Sequence, residues 1–334
     1  MSRTFIIAEA GVNHNGDQEL AKRLVVAAAQ AGADAVKFQS FRASLLVTGR
    51  AAKAGYQQVT TGAGETQQAM LARLELPAAA QVELAALCQD QGIVFLSSAF
   101  DLASLRLLAD LGVTIFKIPS GEITNLPYLR AAGALGRRML LSTGMADLGE
   151  IEDAIEILTA AGTDRAAITL LHCHTEYPTA MADANLRAMV TMAAAFGLPV
   201  GYSDHTQGLE CAVAAVALGA RVLEKHFTLD RGLPGPDHRA SVEPAEFASL
   251  VAAIRNVEVA LGDGRKRPTE AELRNLPLVR KSIVASRAIR AGEILSPDNL
   301  TCKRPGTGLS PMRWDEVIGR PARREFAADE PIEL

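Results

Sequence analysis

The stretch Val200 to Phe227, VGYSDHTQGLECAVAAVALGARVLEKHF, decides how the whole chain is read. It opens with a short apolar run, Val200-Gly201-Tyr202, and passes through the polar Ser203-Asp204-His205-Thr206. An Ala/Leu-rich amphipathic segment follows over Leu209 to Leu218, stops at Gly219, and gives way to a second β-rich run, Val222-Leu223-Glu224. Strand, loop, helix, glycine stop and strand again make the unit of a parallel β/α fold, since parallel neighbours need a crossover that a helix supplies. His205 and His226 each lie where a strand runs out. If the two strands are neighbours in one barrel, the imidazoles meet at its mouth. Two neutral imidazoles over an open cavity can hold a divalent ion and leave coordination positions for water and substrate. Taken as a lone pair, two ordinary partly buried histidines are the plainer account.

Working outward, the same unit recurs eight times at roughly thirty-residue spacing. The strands read as Phe5-Ala8, Ala35-Phe38, Val94-Ser97, Ile115-Ile118, Met139-Ser142, Ile168-Leu171, Val200-Tyr202 and Val222-Glu224. Helical stretches lie between them at Glu19-Gln30, Ala79-Gln91, Leu102-Leu111, Gly149-Ala161, Asn185-Ala195 and Leu209-Leu218. Many close on glycine, the residue that tolerates positive φ at a helix C-terminus. Eight such units predict a (β/α)8 TIM barrel over residues 1–262. A doubly wound open sheet is the rival, but no Gly-x-Gly-x-x-Gly follows the first strand. Residues 263–280, with Gly264, Pro268 and Pro277 among mixed charges, read as a linker. Residues 281–334 read as a small β-rich domain of short strands and turns, near the size at which a lone domain is marginal. Such a module is expected to lean on the barrel or on another subunit.

Composition narrows the function. Across 334 residues the formal net charge is -4 and no long basic run occurs, which argues against nucleic acid as a partner. Hydrophobic residues are 49% and aromatics only 4%, so the core is expected to be aliphatic. Cys88, Cys173, Cys211 and Cys302 form no Cys-x-x-Cys pair, as fits a reduced, cytoplasmic protein. No apolar run is long enough to serve as a signal peptide or membrane span.

In a barrel of this kind chemistry sits at the C-terminal strand ends, and all eight carry polar groups. Lys117-Ile118-Pro119-Ser120-Gly121-Glu122 offers a lysine, a rigid turn and a hydroxyl beside glycine; with Ser142-Thr143-Gly144 and Ser203 it makes a cradle for phosphate. Singly, each Ser-Gly or Thr-Gly is ordinary turn or N-cap chemistry. Lys37 can serve a phosphate or a neighbouring carboxylate, or simply reach water. Glu9 and Glu122 are the acid/base candidates, with salt bridges to the lysines as the alternative. His172 and His174 share a face two residues apart and form a second, lower-ranked metal pair, with Cys173 directed the opposite way. Pro236-Asp237-His238 can present a carboxylate to a polyhydroxyl ligand, or be a plain turn.

Glu9 to Gly16, Val36 to Gln39, Phe116 to Glu122, Leu141 to Met145, Thr175 to Pro178, Gly201 to Thr206, Glu224 to Thr228 and Gly235 to His238 together resemble the sialic acid synthase family, which includes legionaminate and pseudaminate synthases. Lys303 to Gly308 resembles the antifreeze-like (SAF, β-clip) domain that follows the barrel in that family. The resemblance implies condensation of phosphoenolpyruvate with the open-chain aldehyde of an N-acylated amino hexose, with release of phosphate by C–O cleavage. N-acetylmannosamine, giving N-acetylneuraminate, is the expected acceptor; a 2,4-diacetamido-trideoxyhexose giving legionaminate or pseudaminate is the alternative.

By the same resemblance His205 and His226 would hold Mn2+, with Mg2+ or Co2+ as alternatives, to polarise the aldehyde. Lys37, Ser98, Lys117, Ser120, Ser142 and Ser203 would bind phosphoenolpyruvate, with His174 beside its phosphate. Glu9 and Glu122 would move protons, and Gln39, Tyr177 and Asp237 would contact the sugar. Arg304 would reach into the barrel of the other subunit of a domain-swapped homodimer. His174 departs from the Asn or small hydroxyl residue expected there, and Ser98-Ala99 from Thr-Pro. Two readings from other classes stand beside this one: a non-catalytic glycan-binding protein whose barrel is a relic, and a pyruvate-using class II aldolase, which would need no phosphate cradle.

Overall fold

The computed structural model describes residues 3–62 and 64–334. Eight parallel strands close in sequence order into a barrel: β1 (Phe5–Gly11), β2 (Ala35–Ser40), β3 (Val94–Ala99), β4 (Ile115–Ile118), β5 (Arg138–Ser142), β6 (Ile168–Cys173), β7 (Val200–Asp204) and β8 (Val222–His226). Closure is made by β1 on β8, where Phe5 faces Val222 and Glu9 faces His226. Because β1 also pairs with β2, the sheet has no edge, and the open doubly wound alternative falls.

The surrounding helices form where the sequence supplies both a cap and an apolar stripe. Asp17 accepts hydrogen bonds from the backbone N–H of Glu19 and Leu20, starting Gln18–Gln30, whose Ala21, Leu24, Val25 and Ala28 face the barrel. Asp147 and Glu150 form a reciprocal capping box at the head of Leu148–Ala161. Helix Arg187–Phe196 ends on Gly197 at φ 64, the left-handed conformation that glycine adopts without strain. The helix between β4 and β5, Leu126–Gly133, is short; its start is set by Asn125, which accepts from the Tyr128 N–H, and by a proline in the first turn.

Several strands run further than their apolar residues suggest. β1, β7 and β8 extend through Glu9, Asp204 and His226, because the parallel ladder continues under the polar side chains. Functional residues that seemed to lie in loops therefore sit on rigid backbone.

Inside the barrel the strand period of two sets two layers. Ile7, Ala35, Leu96, Leu140, Leu171 and Val222 form a buried apolar plug, with Ile115 packed against it. At Gly201 an added Cβ would come within 2.5 Å of the Val222 carbonyl, so only glycine lets β7 approach. Two residues further along each strand come Glu9, Lys37, Ser98, Lys117, Ser142, Cys173, Ser203 and Glu224. The plug seals the floor, and that ring is the first layer above it.

The chain divides into a first unit ending at Asp263 and a second from Gly264 to Leu334. Of residues 263–280, expected to be linker, 264–280 fold with the second unit and contain helix Glu270–Val279. Its Thr269/Glu272 capping box outweighs Pro277, which falls in the last turn where little of the hydrogen-bond ladder remains to be lost. The second unit has its own core of Ile283, Ala285, Ile289, Leu295, Leu300, Val317, Ala322, Phe326 and Ile332. β9 (Ser282–Ala285) and β10 (Leu300–Lys303) form an antiparallel pair, and isolated bridges such as Ile289 to Phe326 lie outside it.

Candidate active site

The ring above the plug opens into a cavity of about 160 Å3. Its lining contains Glu9, Lys37, Gln39, Ser98, Lys117, Ser120, Ser142, Tyr177, Ser203, His205 and His226, eleven residues singled out from sequence, brought from β1 to β8 and the loops beyond.

At its centre lies a residue to which the sequence reading gave no role. Glu224 is buried and receives Lys37 Nζ at 2.7 Å, Lys117 Nζ at 3.0 and 3.3 Å, and the Ser203 hydroxyl at 2.7 Å. Burial opposes its charge, but Lys117 and Lys37 outweigh it and hold the carboxyl well below the usual range. The signal was present: Glu224 stands two residues before His226 on one strand, so the two share the inner face.

Glu9 lies beside this cluster, 3.3 Å from Lys37 Nζ, and accepts from Gln39 Nε2 at 3.3 Å. Burial raises its carboxyl to about 7, against the opposing pull of Lys37. Burial likewise lowers Lys117, whereas on Lys37 the penalty of burial is overcome by Glu224 and Glu9 and the pKa rises. Ser120 accepts from the Gly144 N–H at 3.0 Å and lies 3.2 Å from Cys173 Sγ. A side chain at Gly144 would strike Ser120, which accounts for the glycine.

The two histidines meet over this ring with their centroids 5.3 Å apart, and Tyr177 packs on both, at 4.2 Å from His205 and 5.4 Å from His226. Burial lowers His205 to about 4 and His226 well below its ordinary value, so both are neutral and carry a lone pair. His205 Nδ1 is hydrogen-bonded to the His174 carbonyl, which fixes the proton on Nδ1 and leaves Nε2 as acceptor. The nearest donor to Nε2 is Ser203 Oγ at 3.3 Å, but the Ser203 proton is directed to Glu224 at 2.7 Å. His226 Nδ1 is buried without a hydrogen-bond partner. Two neutral imidazoles with ring nitrogens that no donor occupies, one of them held from behind by a carbonyl, suit a divalent ion. Among the described residues no third His, Cys, Asp or Glu completes a ligand cluster, so substrate or water would supply the rest.

Five expected residues are not in the cavity wall. Glu122 lies in the short 3-10 turn Ser120–Glu122, which swings it away to accept from Asn125 Nδ2 at 2.6 Å. His172 and His174 point off the inner face because β6 is in the opposite phase: Cys173 faces the cavity, His172 packs on Tyr202, and the His174 ring accepts from the Glu176 N–H. His174 contributes its carbonyl, not its imidazole. Asp237 is buried behind the mouth near Tyr56, its carboxyl raised to about 6 by burial. Arg304 is exposed on the second unit.

A closed barrel with a charged inner ring, paired histidines and an appended small β unit defines a (β/α)8-barrel enzyme with an accessory domain. A profile of the NeuB family matches residues 24–266, and one of the SAF domain matches residues 280–334. The chain is 53% identical over 332 residues to the N,N'-diacetyllegionaminic acid synthase of Campylobacter jejuni, covering 99% of each chain. It is 47% identical to the protein of the same name from Legionella pneumophila, covering 94% of this chain and 89% of that one. The crystal structure of the N-acetylneuraminic acid (sialic acid) synthetase of Leptospira borgpetersenii is similar at a TM-score of 0.72 and 36% identity, covering 82% of this chain and 90% of that one. The chain belongs to the NeuB family and is a carbon–carbon bond-forming synthase with a C-terminal SAF domain.

Proposed function

We propose that the enzyme condenses phosphoenolpyruvate with the open-chain aldehyde of 2,4-diacetamido-2,4,6-trideoxymannose, releasing phosphate and forming N,N'-diacetyllegionaminate. For phosphoenolpyruvate the carrying observation is the pair Lys37 and Lys117 converging on Glu224, with the hydroxyls of Ser98, Ser120, Ser142 and Ser203 around them. A compact anion with a carboxylate and a phosphate offers both lysines oxygen ligands in place of Glu224. For the acceptor the support is similarity: 53% identity over nearly the whole of both chains to a protein named for that product, against 36% to one named for N-acetylneuraminic acid. N-acetylmannosamine, the acceptor first expected, becomes the second reading.

In the reaction C3 of phosphoenolpyruvate bonds to the aldehyde carbon, the aldehyde oxygen gains a proton, water adds at C2, and the C2–O bond to phosphate breaks. Lys37, Lys117 and the serines hold the carboxylate and phosphate and offset charge on the departing group. Glu9, whose carboxyl sits at about 7, can deliver or accept a proton at neutral pH from the mouth side of the ring. Tyr177 and Gln39 wall the acceptor side, and the apolar plug closes the cavity from below. His205 and His226 would hold a divalent ion, Mn2+ in this reading, whose contribution is Lewis acidity toward a carbonyl. The same reading carries a domain-swapped homodimer in which Arg304 completes the acceptor side of the partner's barrel; it rests on the family resemblance and on the exposure of Arg304.

The test is phosphate release with Mn2+, comparing 2,4-diacetamido-2,4,6-trideoxymannose, its altrose isomer and N-acetylmannosamine. Highest kcat/KM on the first is expected. Preference for N-acetylmannosamine would return the second reading, and release without any acceptor-derived product would sink both.

A further inference from the structure

On the outer face of the barrel, between the inward-facing residues of β7 and β8, lies a buried ion pair that the chemistry above does not use. Asp204 and Lys225 are register partners on the two strands. Lys225 Nζ contacts Asp204 Oδ2 at 2.6 Å, and the two side chains are 1% and 0% exposed. The same ammonium donates to the Thr206 carbonyl at 2.9 Å. The other Asp204 oxygen accepts from the Thr206 N–H at 2.9 Å and from its hydroxyl at 2.7 Å. Every one of these bonds closes on the two residues that flank His205.

As an element of stability such a pair is poor, because dehydrating two charges costs about what their attraction returns, and apolar replacements of similar volume often do as well. What it does provide is a single geometry for one turn. His205 is also held by the Thr179 N–H, which donates to its carbonyl at 2.8 Å, and by the His174 carbonyl on Nδ1. Lys225 stands between Glu224 and His226, so the clamp fixes the end of β8 relative to β7 in the same stroke.

We propose that Lys225 and Asp204 are positioning residues that hold His205 in register with His226 so that the two imidazoles bind one divalent ion. The proposal rests on the metal reading above. Its test is Mn2+ binding rather than turnover, measured on the full chain by the EPR signal of free Mn2+, with pulsed EPR counting coordinated imidazole nitrogens. The wild-type protein should show two imidazole couplings and His205→Ala one. The double substitution Asp204→Leu with Lys225→Met removes both charges together and leaves neither stranded. It should weaken Mn2+ at least about ten-fold, the range known for groups that orient metal ligands, and lose one coupling. Phosphoenolpyruvate binding to the metal-free double variant should change by less than two-fold.

A folded double variant with wild-type Mn2+ affinity and both couplings overturns the positioning role while leaving the metal site intact. Absence of imidazole coupling in the wild type overturns the metal reading itself, and the positioning role with it. Should the double variant not fold, Thr206→Val decides: it keeps the ion pair and removes one bond to Asp204, and Mn2+ affinity should fall by about three-fold or more. Unchanged affinity there overturns the proposal.

Discussion

Lys37 and Glu224, from strands on either side of β1, meet at 2.7 Å in the middle of the barrel mouth, with Lys117 reaching the same carboxylate from across the barrel. One carboxylate thus holds two lysines in place before substrate arrives. Replacing it with a neutral isostere leaves two buried ammonium groups facing each other. Glu224→Gln is therefore expected to lower kcat/KM by at least about 100-fold and to destabilise the barrel by about 3–5 kcal/mol. Phosphate release and urea unfolding measure the two effects, and wild-type turnover would remove Glu224 from the site.

Glu9 and Glu122 looked equivalent in the sequence, and the structure separates them. Glu9→Gln should reduce turnover by about 100-fold or more, since a cavity carboxyl that burial holds near neutrality is lost. Glu122→Gln should keep activity within about three-fold, because an amide can still bond Asn125. The reverse order in a steady-state assay would refute the assignment.

The paired imidazoles carry the metal expectation. His205→Ala and His226→Ala should each lower Mn2+-dependent turnover by at least about 100-fold while the circular dichroism spectrum is retained. Full activity of the wild type in excess chelator is the contrary result.

Asp237 gives a pH effect whose sign is fixed. Its carboxyl rises from an ordinary 3.8 to about 6 in the folded protein because it is buried. Between those values the native state keeps a proton that the unfolded state has released, so stability falls as pH rises from about 4 to 6 and stays reduced above it. The penalty is on the order of 2–3 kcal/mol. Asp237→Asn should raise the melting temperature by about 4–8 °C at pH 7.5 and have almost no effect near pH 4. Equal shifts at both pH values would mean that the carboxylate is not the cause.

Arg304→Ala tests the swapped dimer. The acceptor KM should rise by at least about ten-fold with the phosphoenolpyruvate KM unchanged. An unchanged acceptor KM removes Arg304 from the site.

The sequence by itself determined the barrel, because eight apolar strand signals alternate with capped amphipathic helices and each strand places its polar residue at one end. It determined most of the ring as well: Lys37, Lys117, Ser142, Ser203 and the two histidines are all found at one mouth. What it left undecided was phase and turn geometry. Whether Cys173 or its flanking histidines face inward depends on the register of β6 against its neighbours, which is set by packing of Leu171 into the plug. Glu122 leaves the cavity because a three-residue turn rotates it, although its position beside Ser120 and Gly121 suggested otherwise. Only closure of the barrel puts Glu224 against lysines 187 and 107 residues away in the chain, since that contact comes from the curvature of the whole sheet and from no local pattern.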